Sequence, residues 1–432
     1  MPCRTVKLQA KQDRKFIRSA YRSDRFIVAN VTAPHLHANE VNATQRQRPP
    51  VNLAFVLDRS GSMAGQKIAL AKQAIADSIV RLQADDRFAV VTYDDVIDVV
   101  IRSTAATSEA KNDAIALLRR IEARNGTNLA DGWLRGAEQV ALNLKAEGVN
   151  RVLLLTDGLA NIGITNPEEL ARHASELRAR GVQTSTFGVG ADFDEALLQQ
   201  MATNGGGNFY YIENDRQIAD IITGEVGETL DVVARDVTLN VVTPSGVTVE
   251  SLSPYPVESS SPGRTAVLLG ALVAEQVVQV VLRLNFPLGE IGRMTGAVLS
   301  VSANGADVDD GSASLTWDYA DDFVNDKQER DTEVDRAVGL VFASRARQEA
   351  SQLNRLGNFP AAQAALAAVA KRVRSYAGRD AALRELVGRL EEESQLLAAP
   401  MAPADRKQMY FASHASLKSR DMFGKATKTR DQ

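Results

Sequence analysis

The run Val51-Asn52-Leu53-Ala54-Phe55-Val56-Leu57 ends abruptly in Asp58, and Arg59-Ser60-Gly61-Ser62-Met63 follows. An apolar run of this length, rich in Val and Leu and bounded by turn residues, predicts a buried parallel strand. A parallel strand of that kind demands helices on both faces of its sheet. Asp58 then stands at the strand's carboxyl end, where open α/β sheets bind ligands. Alternate residues of an extended loop face the same way, so Asp58, Ser60 and Ser62 can turn three oxygens toward one point. Oxygen donors of mixed charge suit a hard divalent cation such as Mg²⁺. The same spacing also describes a turn that caps the next helix, because Asp and Ser are favoured there.

Two further segments supply what the first lacks. Arg124-Asn125-Gly126-Thr127-Asn128 is a polar loop that opens a helix and offers a hydroxyl at Thr127. Arg151-Val152-Leu153-Leu154-Leu155-Thr156-Asp157-Gly158 is a second apolar strand ending in an acid. The set Asp58-x-Ser60-x-Ser62, Thr127 and Asp157 resembles, in order and spacing, the metal-ion-dependent adhesion site of the von Willebrand factor A (VWA) family. The resemblance implies a Mg²⁺ site, with Mn²⁺ or Ca²⁺ as alternatives. Ser60, Ser62 and Thr127 would offer neutral hydroxyls; Asp58 and Asp157 would supply charge, at least one of them through water. It further implies a coordination position left for an Asp or Glu of a protein partner, and VWA proteins often serve an AAA+ ATPase or another complex.

A chain of 432 residues is too long for one ordinary core and predicts two or three domains. Its net charge of −4 implies no bulk attraction to nucleic acid. The one cysteine, Cys3, rules out an internal disulfide and fits a reducing compartment. The basic N-terminus has no continuous apolar core and does not read as a secretory signal. The apolar tract from Thr265 to Val281 is broken by Glu275 and Gln276, so no membrane span is expected. The chain is read as cytoplasmic.

Residues 1–50 hold two strand-like runs, around Val6–Leu8 and Arg25–Val31, suited to a half-exposed sheet. They carry ten Lys and Arg against Asp13, Asp24 and Glu40, a patch for an acidic partner or a solvated strand face. His35 and His37 make a poor zinc site and read as loop. Residues 51–229 alternate strand with helix, which predicts a doubly wound, mainly parallel α/β sheet of the Rossmann-like VWA kind. Residues 230–320 change period, and short strands separated by Pro, Ser and Gly predict a β-sandwich with which the N-terminal strands are expected to pair. The VWA unit would then be an insertion in a β-domain. Residues 326–400 read as a C-terminal helical hairpin region, similar to one repeat of the tetratricopeptide kind. Residues 401–432 form a basic tail, a partner-binding arm or a terminus that frays. This order of parts is similar to bacterial cytosolic relatives of the calcium-activated chloride channel and inter-alpha-trypsin inhibitor heavy chain proteins.

The expected function is a non-enzymatic, metal-dependent protein-binding module. A hydrolase is the first alternative, because an open metal site can activate water; it would need a general base, and Asp94, Asp95 and Asp131 each fit a turn or a helix start better. A scaffold acting through the β and helical regions is the second. No Walker A or His-Glu-x-x-His sequence occurs, and Gly188-x-Gly190 lacks the third glycine of a dinucleotide loop. Asn204-Gly205-Gly206-Gly207 reads as a turn near the same rim.

Overall fold

The structure is a computed structural model that describes residues 5–35, 48–124 and 126–429. Cys3, His37 and Asn125 lie outside the described residues. In chain order the elements are β1 (Lys7–Gln12), β2 (Phe16–Arg18), β3 (Ser23–Thr32), β4 (Val51–Asp58), α1 (Gln66–Arg81), β5 (Arg87–Tyr93), β6 (Ile97–Ala105), α2 (Ser108–Arg119), α3 (Leu129–Ala141), β7 (Val149–Thr156), α4 (Pro167–Ala179), β8 (Gln183–Val189), α5 (Glu195–Asn204), β9 (Gly206–Ile212) and α6 (Gln217–Leu230). They continue as β10 (Val232–Val242), β11 (Thr248–Ser251), β12 (Val257–Ser261), β13 (Arg264–Val273), β14 (Val277–Phe286), β15 (Met294–Ala303), β16 (Ala306–Ala320), α7 (Asp322–Lys327), α8 (Thr332–Arg355), α9 (Phe359–Ala377), α10 (Ala381–Leu396) and α11 (Pro403–Leu417). No helix among the described residues is long and apolar enough to cross a membrane.

The chain divides into two compact units, one built from residues 48–232 with 423–425, the other from 5–35, 233–422 and 426–429. The first holds a six-stranded sheet in the order β6-β5-β4-β7-β8-β9, parallel except for β6. All eight residues of β4 and all eight of β7 are buried. Successive side chains point to opposite faces, so both faces of these strands are covered. From β4 the chain builds outward through β5 and β6, then returns to the other side of β4 for β7, β8 and β9. The strand order therefore reverses between β4 and β7, and the crevice above their carboxyl ends is where such sheets take ligands.

The second unit has a four-stranded sheet, β1-β3-β14-β11, and a six-stranded sheet, β12-β13-β10-β15-β16-β2. Both give side chains to one apolar core that includes Ile27, Val31, Val280, Leu282, Leu239, Leu299 and Trp317. The Phe286 and Trp317 rings, one from each sheet, lie 4.9 Å apart. Among the N-terminal strands, β3 runs antiparallel to β14 over Ser23–Thr32, and β2 runs parallel to β16.

Strand β3 departs from the half-exposed reading. Ile27, Ala29 and Val31 face the core between the sheets, whereas Phe26 and Val28 pack under Val334, Val338 and Val341 of α8. A helix on its outer face makes apolar residues favourable on both sides. The basic excess of this region is spent largely within the unit: Lys11 pairs with Glu333, Arg14 with Asp13, and Arg18 with Asp322 and Asp326. Arg25 is buried and donates to the Phe16 carbonyl. His35 Nδ1 lies 3.1 Å from Glu275. The reading of a fraying tail is corrected as well: residues 403–417 form α11, which buries Tyr410, Phe411 and Leu417.

Candidate functional site

Asp58 is the last residue of β4 and has no solvent exposure. Its Oδ1 accepts from the Ser60 backbone N–H at 2.8 Å, which folds the chain back over the strand end. Its Oδ2 accepts from the Thr156 hydroxyl at 2.7 Å, across from the end of β7. Gly61–Met63 is then a single 3₁₀ turn whose Met63 is fully buried, pegging the loop in place. Gly65 takes a φ of 83° to redirect the chain into α1, a conformation glycine adopts without strain.

From Ser60 the oxygens run on as a chain. Ser60 Oγ is 3.1 Å from Ser62 Oγ, and Ser62 Oγ donates to Asp157 Oδ1 at 2.6 Å. Asp157 follows the last residue of β7 and is buried, whereas Ser62 is exposed. Thr127 is buried just before Asn128, the residue that caps α3. A Cβ built on Gly158 would lie 3.5 Å from Thr127 Oγ1, so that hydroxyl borders the backbone immediately after Asp157. Asp58, Ser60, Ser62 and Asp157 thus share one hydrogen-bonded chain at the carboxyl ends of β4 and β7, and Thr127 stands at its edge.

Burial pushes the Asp58 carboxyl up to about 6, against the hydrogen bonds from Ser60 and Thr156, and the nearby charge of Asp157 adds to the rise. No ammonium or guanidinium pairs with Asp58 among the described residues. A buried carboxylate without a cation is costly, and a bound divalent ion would supply the missing charge. The donors are carboxylate and hydroxyl oxygens alone, which is the chemistry a hard cation takes. Among the described residues no group of three or more His, Cys, Asp or Glu could hold a metal ion, so a zinc-type cluster is not the arrangement here.

Three neighbours escaped the sequence reading. Thr156 holds Asp58; its signal is a lone hydroxyl that closes the apolar run of β7, just before Asp157. Lys67 Nζ donates to Asp157 Oδ2 at 2.6 Å; its signal is a cation in the first turn of a helix, where the macrodipole disfavours one. Arg59, between two of the predicted donors, pairs with Asp94 at 2.9 Å and also with Asp98. Asp94 does form the expected turn, accepting from Val96 N–H at 2.6 Å, but it takes Arg124 as well. The Gly205–Gly207 run is elsewhere. It leads into the amino end of β9, next to Thr184 at the start of β8, so it lies across the sheet from Asp58 and not on its rim.

A doubly wound sheet with carboxylates and hydroxyls gathered at its strand-order reversal defines a class: α/β domains that present an oxygen-lined cation site at the rim. The particular member follows from comparison. Residues 52–224 match the von Willebrand factor type A domain, and the chain carries a VWA domain there. Domains of this family generally mediate metal-dependent protein–protein interaction and are typically non-enzymatic. The chain is 31% identical over 191 residues to the uncharacterized protein YfbK of Escherichia coli (strain K12), covering 44% of this chain and 33% of that one. It is 31% identical over 163 residues to inter-alpha-trypsin inhibitor heavy chain H4 of Sus scrofa, covering 37% and 18%. The chain therefore spans about a third or less of these relatives' length. A solved von Willebrand factor type A structure from Catenulispora acidiphila superposes with a TM-score of 0.74 at 18% identity, covering 100% of this chain and 99% of that one. The ArnB paralog VWA2 from Sulfolobus acidocaldarius gives 0.61 at 18%, covering 96% and 99%. At that identity the likeness establishes the fold alone, and it extends over both units.

Proposed function

We propose that this protein is a non-enzymatic binding module that holds an Asp or Glu side chain of a protein partner through a divalent cation. Asp58, Ser60, Ser62, Thr127 and Asp157 would hold the ion, Mg²⁺ or its substitutes Mn²⁺ and Ca²⁺. The observation that carries the reading is Asp58: a fully buried carboxylate at the sheet's reversal point, joined through Ser60 and Ser62 to Asp157, with no cation paired to it among the described residues. When bound, the ion supplies an electrophilic position for an incoming carboxylate. The residues of the chain set how electrophilic. Three of the five donors are neutral hydroxyls, and Lys67 already offsets part of the Asp157 charge, so the site keeps positive charge to spare for an anion. Thr156 keeps Asp58 fixed and excludes water from its inner oxygen. A cytoplasmic setting is supported by the single cysteine.

The test is capture of partners from native lysate by wild type and Asp58→Ala, each with Mg²⁺ and with chelator, beside calorimetric titration of Mg²⁺. We expect Asp58→Ala to keep its circular dichroism spectrum and lose both metal and partners. Partners retained in all four conditions would move the function to the β and helical unit.

A further inference from the structure

We infer that Asp94 is a positioning residue, whose buried carboxylate fixes the loop bearing Thr127 against the loop bearing Ser60 and Ser62. The inference rests on the metal-site reading above and names the device that keeps that site assembled.

Thr127 belongs to a stretch between α2 and α3 whose described residues lie in neither strand nor helix. A donor on a loop is only as well placed as the contacts that pin the loop. Here both flanks of Thr127 are pinned at one place. On one side, the Arg124 N–H donates to the Arg59 carbonyl at 2.6 Å, and the Arg124 guanidinium reaches Asp94 with Nε to Oδ2 at 2.5 Å and Nη2 to Oδ1 at 3.2 Å. On the other side, the Asn128 N–H donates to the Asp94 carbonyl at 2.7 Å. Asp94 holds the opposing loop as well. Arg59, set between Asp58 and Ser60 in the chain, donates from Nε to Asp94 Oδ2 at 2.9 Å, and its backbone N–H donates to Tyr93 at 2.9 Å.

Asp94 is fully buried, and its carboxylate already accepts from Val96 N–H, Arg59 Nε, Arg124 Nε and Arg124 Nη2. A carboxylate has about four acceptor sites, so this one has none left for a metal ion and cannot be a sixth donor. The cluster does not act by charge either. Asp98 pairs with both arginines, so two guanidinium groups face two carboxylates. What remains is geometry: one buried anion at the junction of the two loops that bring three of the candidate donors.

The experiment is calorimetric titration of Mn²⁺ into metal-stripped full-length protein, with thermal midpoints recorded in chelator. The proteins are wild type, Asp58→Ala, Asp94→Asn, Arg124→Gln, Thr127→Ala and the Arg124→Gln/Thr127→Ala double variant. Arg124 is half exposed, so Arg124→Gln decides the matter should Asp94→Asn fail to fold. Groups that orient metal ligands typically cost roughly tenfold to a hundredfold in affinity when removed, and we expect that loss in Arg124→Gln, with a lowered but still cooperative melt in chelator showing that the variant is folded where Mn²⁺ is titrated. If the cluster works through Thr127, Arg124→Gln costs less than about twofold more once the Thr127 hydroxyl is gone. Wild-type affinity in Arg124→Gln, or losses that multiply in the double variant, would overturn the positioning role alone. Wild type that binds no Mn²⁺, or Asp58→Ala that binds it as well, would overturn the site reading and this inference with it.

Discussion

Lys67 sits where a cation is least welcome, in the first turn of α1, and its Nζ is held there by Asp157 Oδ2 at 2.6 Å. Its side chain is about one-quarter exposed while that of Asp157 is fully buried, so the ammonium shields a carboxylate that water cannot reach. On the metal reading, the two cations compete for one anion. Replacing Lys67 with Met leaves Asp157 without its counter-ion, which in chelator lowers stability by about 1–3 kcal/mol. The same change frees Asp157 for a divalent ion, and a tighter ligand raises the folded state's share by mass action. The Lys67→Met protein should melt earlier than wild type in chelator and show a larger upward shift on adding Mg²⁺. Thermal scans with and without the ion measure both, and an unchanged Mg²⁺ increment would separate Lys67 from the site.

Helix α3 follows Thr127, so its seat on the sheet bears on the site. Two glycines one turn apart let it approach closely. A Cβ on Gly132 would come within 2.5 Å of the Tyr93 ring, and one on Gly136 within 2.2 Å of Val56 Cγ2. Tyr93 is itself fully buried and donates to the Leu155 carbonyl, so its ring cannot step aside. Gly132→Ala gains about 1 kcal/mol of helix propensity but overpacks a rigid contact, which typically costs about 1–3 kcal/mol. A net loss of stability is expected, measured as a lower urea midpoint at unchanged slope. The alternation of strand and helix from 51 to 229 was legible because each apolar run and each helical stripe is local. The five candidate donors were legible for the same reason: they stand at strand ends and helix starts that a reader can find. The contacts that hold them were not. Lys67, Thr156 and Arg124 act on residues 90, 98 and 30 positions away in the chain, and no local pattern marks such pairs.

Over the whole molecule, acid stability turns on a residue far along the chain from the candidate site. His414 in α11 is buried, and burial, with the charges of Lys418 and Arg420, lowers its pKa from 6.5 to about 3. The unfolded chain takes up a proton near pH 6.5 that the folded chain refuses until about pH 3. The unfolded state therefore binds more protons across that window, and stability falls as pH drops through it. Urea midpoints at about pH 7.5 and 5 should show this loss in wild type and a smaller one in His414→Gln. The helix that buries His414 was read as a tail from composition, because the seven Lys and Arg of residues 405–432, five of them beyond the helix, mask the spacing of Tyr410, Phe411 and Leu417. Two solved structures superpose over 100% and 96% of the chain, so the likeness of fold reaches past residues 52–224.

The sequence by itself determined the VWA domain, because its hydrophobic periods are local and its acids fall where apolar runs stop. It also determined the oxygen-only character of the candidate donor set, since residue types are read directly. Tertiary structure alone decided that Asp58 is buried with no cation paired to it among the described residues, that Lys67 stands against Asp157, and that Asp94 joins two loops through Arg59 and Arg124. It alone decided that β3 is covered on both faces, because α8 folds back over it from some three hundred residues later in the chain. The reason is common to all of these. A side chain's period along the chain reports which way it points, whereas its charge state and its partner depend on what the fold brings opposite.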